Sequence, residues 1–320
     1  MALYLITGGA GFIGSHLAET LVRRGQDARV LDNLATGKLA NLTPAQQGPG
    51  RLEFMAGDIT DPQTCARALA GVDYVLHQAA RPSVQRSIED PLATHQVNAT
   101  GTLNLLVAAK EAGIKRLVAA SSSSTYGDVE PPEAPKRESL PPRPLSPYAA
   151  SKVVMEYYAK VFYRVYGLET VCLRYFNVFG PRQDPNSAYA AVIPAFLFSL
   201  LEGRRPVIYG DGRQSRDFTY VDNVVEANLA ACTAPQAAGE VINVAAGRSH
   251  DLLELLAALK ELTHSDLEPE FRPARSGDVR YSQADLDKAR RLLGYEISVG
   301  FKEGLRRLVE LARQGKYLSS

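Results

Sequence analysis

Tyr148 and Lys152 stand four positions apart in Tyr148-Ala-Ala-Ser-Lys152. On a helix both side chains project from one face, about one turn apart. A free phenol titrates at about 10 and is a poor base at neutral pH. Positive charge beside it lowers that value and favours the phenolate. Such a tyrosine takes the proton of a hydroxyl while the attached carbon gives up a hydride. Upstream lies Ser121-Ser-Ser-Ser-Thr-Tyr-Gly127, directly after an apolar run. Four hydroxyls at a strand end suit hydrogen bonding to a reacting oxygen and shuttling of its proton.

Hydride chemistry needs an acceptor, and the N-terminus supplies a place for one. Thr7-Gly-Gly-Ala-Gly-Phe-Ile-Gly14 follows an apolar run and opens a helical pattern. Gly8 lets the chain turn out of the strand, Gly11 lets backbone N–H groups approach a pyrophosphate, and Gly14 lets the helix pack on the sheet. The helix N-terminus adds partial positive charge. Asp32 ends the next strand, placed to accept hydrogen bonds from ribose hydroxyls and to repel a 2′-phosphate, so NAD is expected rather than NADP. Asp58-Ile59, after the third strand, suits adenine.

These groups must be positioned by a sheet. Strands are expected at Leu3–Thr7, Ala28–Asp32, Leu52–Ala56, Asp73–His77, Leu117–Ala120 and Thr170–Arg174. Helices are expected at Phe12–Arg24, at about Pro91–Ala112 and at Ser146–Tyr166. This alternation predicts an α/β fold, a doubly wound parallel Rossmann sheet with helices on both faces. After Tyr175 the alternation weakens, with helices near Asp222–Ala231, Asp251–Leu262 and Asp285–Leu293. The expected division is an NAD-binding domain at 1–175 and a smaller C-terminal α/β substrate lobe at 176–320, with some chain crossing between them. Residues 129–147 hold seven prolines. Lying between two motifs that must meet, they read as an ordered surface loop beside the site.

Composition removes other classes. The 320 residues are 45% hydrophobic and 22% charged, enough for a sizeable core. With 36 Lys plus Arg against 35 Asp plus Glu, the net charge of +1 argues for neither nucleic acid nor a membrane surface. Cys65, Cys172 and Cys232 are widely spaced and read as inert thiols. His16, His77, His95, His250 and His264 show no ligand spacing, and no metal is expected. His77 reads as packed or cofactor-adjacent. No leader pattern or long apolar run is present, so a soluble, cytoplasmic protein is expected.

Together with Arg174-Tyr-Phe-Asn-Val-Phe-Gly-Pro-Arg182, these motifs resemble the extended short-chain dehydrogenases, and within them the UDP-hexose 4-epimerases. The likeness covers essentially the whole chain. It implies Ser122, Tyr148 and Lys152 as catalytic residues. It implies that Gly8, Gly11, Phe12, Ile13, Gly14, Asp32, Asn33, Gly37, Asp58 and Ile59 hold the cofactor. Gln78, Ala79, Ala80, Asn98, Ser121, Tyr148, Lys152 and Tyr175 complete that set. For the UDP-sugar it implies Ser83, Ser122, Ser123, Ser124, Tyr148, Asn177, Arg216, Arg275, Asp278 and Ser282. Two separated arginines and an Asn suit a dianionic diphosphate.

The resemblance also discriminates among relatives. Its 4,6-dehydratases place Asp-Glu after the catalytic Thr, and its UDP-glucuronate decarboxylases place a Glu there; this chain has Ser123-Ser124. The implied reaction is oxidation of C4, rotation of the 4-keto sugar about its anchored diphosphate, and re-reduction on the other face by a retained NAD. The small Ser282, at the gate to the sugar's 2-substituent, leaves room for an N-acetyl group. A UDP-glucuronate 4-epimerase would need a further cation, such as Arg86 or Arg182. A catalytically silent NAD-binding regulator is the reading from a different class. A homodimer pairing helices near 91–112 and 147–166 is the family expectation.

Overall fold

Leu5 and Ile6 are adjacent in sequence and fully buried, yet each belongs to a different apolar cluster. That is the period-two signature of a strand covered on both faces. The computed structural model describes residues 1–129, 135–185, 191–274 and 280–318. Its first half runs β1 (Leu3–Thr7), α1 (Phe12–Arg23), β2 (Asp27–Asp32), β3 (Leu52–Ala56), α2 (Pro62–Ala68), β4 (Tyr74–His77), α3 (Val84–Glu89), α4 (Pro91–His95), α5 (Thr102–Ala112), β5 (Arg116–Ser122), α6 (Pro147–Tyr166) and β6 (Thr170–Tyr175). These strands form a seven-stranded sheet in the order β6, β5, β4, β1, β2, β3, with the strand Val241–Val244 added outside β6. All six pairings are parallel.

Helices cover both faces. Leu17 and Leu21 of α1, with Val224 and Ala231 of the helix Val221–Thr233, pack on one side. Leu105 and Ala109 of α5, with Met155 and Phe162 of α6, pack on the other. The strand order reverses between β1 and β4, so a crevice opens at their carboxyl ends, where such sheets bind ligands. A third apolar cluster, including Phe196, Phe218, Leu255 and Leu308, builds a smaller lobe beyond that end.

Two local departures matter for the site. The helix expected at Pro91–Ala112 is interrupted between α4 and α5 by a π-helical turn, Gln96–Gly101. The chain after residue 175 also returns to the main sheet: Val241–Val244 pairs with Cys172–Tyr175. The proline-rich segment is anchored where it is described. Lys136 N donates to Gln283 O at 2.8 Å, and Arg143 N donates to Thr125 O at 2.9 Å.

Candidate active site

α6 begins where the chemistry must begin. Ser146 caps it, its Oγ accepting the Ala149 N–H at 3.1 Å, and Pro147 fills the first helical position. Tyr148 and Lys152 are thereby set on consecutive turns of the helix face that meets β5. The Lys152 ammonium donates to Ala120 O at 2.8 Å and lies 5.9 Å from the Tyr148 ring centroid. Burial draws Lys152 down to about 8. Burial also pushes the Tyr148 phenol above its ordinary value, and its hydrogen bond with Ser122 works the other way. The lowered phenol expected from the Lys152 charge is therefore not found: desolvation outweighs the field of an ammonium held on a carbonyl.

β5 delivers the serines. Ser122 Oγ lies 2.9 Å from Ser124 Oγ and accepts the Ser124 N–H at 3.2 Å, so the strand curls into the short 3-10 turn Ser123–Tyr126. Ser121 points the other way, donating to Glu156 Oε1 at 2.5 Å. Glu156 on α6 and Arg174 on β6 form a bidentate ion pair at 2.7 and 2.8 Å, with both side chains buried. Arg174 also lies over the Tyr126 ring, 4.5 Å from its centroid. Nothing in the sequence pattern marked this buried pair, which braces the strand ends under the reacting groups. His77 is packed: its ring nitrogens meet Thr7 Oγ1 at 2.7 Å and Thr102 Oγ1 at 2.8 Å, and burial lowers it to about 3.

The glycine turn opens into the same crevice. A Cβ on Gly14 would lie 2.3 Å from Gly8 O, so α1 can sit this close to the turn only with glycine there. α1 starts at Gly11 with no side-chain cap and no acidic residue in its first turn, leaving its N-terminal N–H groups for an anion. Asp32 accepts Ala10 N at 3.0 Å and Leu34 N at 2.8 Å, and its remaining lone pairs face the crevice, where it is a lining residue. This donor set and cradle fit a dinucleotide. The cavity, about 700 Å³, is lined by Gly8, Gly11, Phe12, Ile13, Gly14, Asp32, Asn33, Asp58, Ile59, Gln78, Ala79, Ala80, Ser121, Tyr148, Lys152 and Tyr175. Burial raises the Asp58 carboxyl, but the Thr60 N–H and the Asn33 amide (2.6 Å) more than offset this and hold it low.

Gly37 and Asn98 lie behind that wall. Gly37 packs so tightly that a Cβ would fall 2.9 Å from both Asp32 oxygens. Asn98, in the π-helical turn, accepts the Arg81 N–H at 2.7 Å and donates to Ser151 Oγ at 3.1 Å. It thus ties the loop after β4 to the helix that carries Lys152. Ser83 in that loop caps α3 at φ +94°. Arg81, Pro82, Arg86 and Glu89 also line the cavity, and sequence reasoning assigned no cofactor role to them. Arg182 is turned away, pairing with Glu19.

A second cavity of about 200 Å³ is lined by Asn177 and Arg216, together with Phe179, Ile193, Gln214, Phe218 and Leu252. Phe218 was legible only as the neighbour of Arg216-Asp217. Asp217 is buried and accepts Ala246 N at 2.8 Å and Ala284 N at 3.1 Å, which holds the segment bearing Ser282 against the strand bearing Arg216. Ser282 is 5% exposed. Arg275 and Asp278 lie outside the described residues. Among the described residues no cluster of His, Cys, Asp or Glu is arranged for a metal ion, and no helix is long and apolar enough to cross a membrane.

Comparison with known proteins follows the same lines. The model of the NAD dependent epimerase/dehydratase family matches residues 4–245. The UDP-glucose 4-epimerase of Mycolicibacterium smegmatis is 40% identical over 311 residues, spanning 97% of this chain and 98% of its own. The Thermus thermophilus UDP-glucose 4-epimerase, solved in complex with NAD, is 40% identical with a TM-score of 0.88, covering 97% of this chain and 99% of that one. The UDP-N-acetylglucosamine 4-epimerase of Methanobrevibacter ruminantium, solved with UDP-N-acetylmuramic acid, is 39% identical with a TM-score of 0.92, covering 98% of this chain and 99% of that one.

Proposed function

The chain belongs to the NAD dependent epimerase/dehydratase family, and from its site we infer that it interconverts UDP-glucose and UDP-galactose by inverting carbon 4. One observation carries this reading. Tyr148, Ser122 and Lys152 converge beside the dinucleotide cavity, and the residues after Ser122 are hydroxyls rather than carboxylates. With no acid or base placed there to eliminate water, a 4-keto sugar is left to be reduced again.

Gly8, Gly11, Gly14 and Asp32 would hold NAD, which when bound supplies the hydride acceptor and then the hydride donor. Tyr148 removes the proton of the 4-hydroxyl and later returns one to the same oxygen. Ser122 hydrogen-bonds the reacting oxygen and the phenol. Lys152 places positive charge beside the phenol as it ionises. Asn177 and Arg216 hold the diphosphate while the sugar presents its other face. Ser282 occupies little volume, and on that basis the activity extends to UDP-GlcNAc and UDP-GalNAc. The likeness to the M. ruminantium epimerase supports the extension.

The working unit we infer is a homodimer. Tyr157, Val161 and Val165 form an exposed i, i+4, i+8 stripe on α6, and Val107 on α5 and Leu92 on α4 are also exposed. Apolar patches of this kind mark association faces. Three free, buried cysteines suit a reducing cytoplasm.

The test is proton NMR of the purified protein with UDP-glucose and, separately, UDP-GlcNAc, with no NAD added. Appearance of UDP-galactose is the expected result, and UDP-GalNAc in the second tube is expected from Ser282. No conversion of either, even with added NAD, would sink the reading.

A further inference from the structure

Between the serine turn and α6 the chain carries a lysine that the reaction above does not use. Lys136 is 2% exposed. Its Nζ donates to Gly127 O at 3.2 Å and has no carboxylate partner among the described residues. Two of its three N–H donors are thus unused. The charges acting on it are Arg216, which repels it, and Asp128, on an exposed loop, which attracts it. Other carboxylates near its backbone are engaged elsewhere. Asp285 pairs with Arg137 at 2.8 Å, and Glu138 accepts the Asn243 N–H at 2.7 Å.

The position is built rather than incidental. Gly127 has φ +59°, and a Cβ on it would fall 1.9 Å from Arg143 O, so its carbonyl is presented by a turn that only glycine can make. The backbone of Lys136 is clamped on both sides: N to Gln283 O at 2.8 Å, and O from Asp285 N at 3.0 Å and Asn243 Nδ2 at 2.8 Å. The ammonium therefore sits between two parts of the site. On one side is the serine turn where the reacting hydroxyl is expected. On the other is Arg216, in the cavity where the diphosphate is expected.

A buried ammonium facing a guanidinium, with one carbonyl for company, is poorly compensated. A dianion reaching both cations relieves the repulsion and uses the idle donors. We propose that Lys136 is a substrate-binding residue, a second cation that engages the diphosphate of the sugar nucleotide together with Arg216. This rests on the reading of the chain as a sugar-nucleotide enzyme. Burial and Arg216 hold Lys136 at about 8, so its charge is lost just above neutral pH unless an anion is bound.

The experiment is calorimetric titration of UDP, which does not turn over, into the NAD-loaded protein. Wild type, Lys136→Met and Lys136→Arg are compared at pH 7.5 and 8.5. Lys136→Met should weaken UDP by about tenfold, the scale of one charge-assisted hydrogen bond, while NAD content stays unchanged. Lys136→Arg should retain most of the affinity. Wild-type affinity should fall about threefold between the two pH values as the free ammonium deprotonates, and Lys136→Met should lose that dependence. UDP affinity in Lys136→Met within twofold of wild type overturns the proposal. So does a flat wild-type pH dependence, which needs no variant to fold. A loss confined to UDP-glucuronate and absent with UDP would put the lysine on a sugar carboxylate and also overturn it. A wild type that binds no UDP would overturn the parent reading together with this one.

Discussion

At the scale of single residues, the phenol of Tyr148 is held up by burial, so the 4-hydroxyl and the bound cofactor must help to ionise it. Tyr148→Phe keeps the ring and removes the proton acceptor. Its turnover of UDP-glucose should fall by about 10³, with UDP affinity within twofold of wild type, checked by NMR conversion and calorimetry. Lys152 carries a cost of another kind. Its folded value of about 8 lies below the ordinary lysine value, so the folded state disfavours the ammonium. That penalty is fully present below pH 8 and fades as pH rises towards about 10.5. Lys152→Met in cofactor-stripped protein should therefore raise Tm by several degrees at pH 7, and the gain should shrink by pH 10. Scanning calorimetry at the two pH values checks this, and NMR should find the stabilised variant inactive. Tyr148 and Lys152 were legible because their partnership is local, four positions on one helix. Lys136 was not, because its neighbours come from Gly127, Arg216 and residues 283–285, and only the folded chain assembles them.

Elements were legible where their periodicity was regular. β1 and β3 fall at the expected limits, and α6 starts one residue inside its expected range, since Ser146 is its cap. The helix expected from Pro91 to Ala112 contains a π-helical turn because the Asn98 amide is committed to Arg81 and Ser151, a demand no propensity records. The strand Val241–Val244 escaped notice because Asn243 interrupts a short apolar run. That Asn is fully buried and bonded to Tyr126, Lys136 and the Asp285 carbonyl. The helix Val192–Leu201 is almost wholly apolar and so has no polar face to betray its period. α6 and β6 are joined by the Glu156–Arg174 pair. Glu156→Gln leaves the guanidinium buried without its countercharge and should cost about 3 kcal/mol in urea unfolding. Replacing both residues with Met should recover most of that loss, since the pair's attraction is largely spent on its own desolvation.

For the molecule as a whole, the apolar stripe of α6 should be covered by a second copy. Val161→Glu with Val165→Glu should convert the dimer to a monomer of unchanged fold, read by sedimentation velocity and circular dichroism. The main sheet carries a different whole-molecule consequence, one of timing. Its edge strand, Val241–Val244, is encoded 66 residues after β6 ends at Tyr175 and must wait to be synthesised. At about 5–20 residues per second, the nascent chain spends roughly 3–13 s with the β6 edge bare. An open, apolar strand edge is a template for wrong pairing. The interval between those two strands on the ribosome is thus when this chain most needs a chaperone, and a message that stalls there should yield the most aggregate.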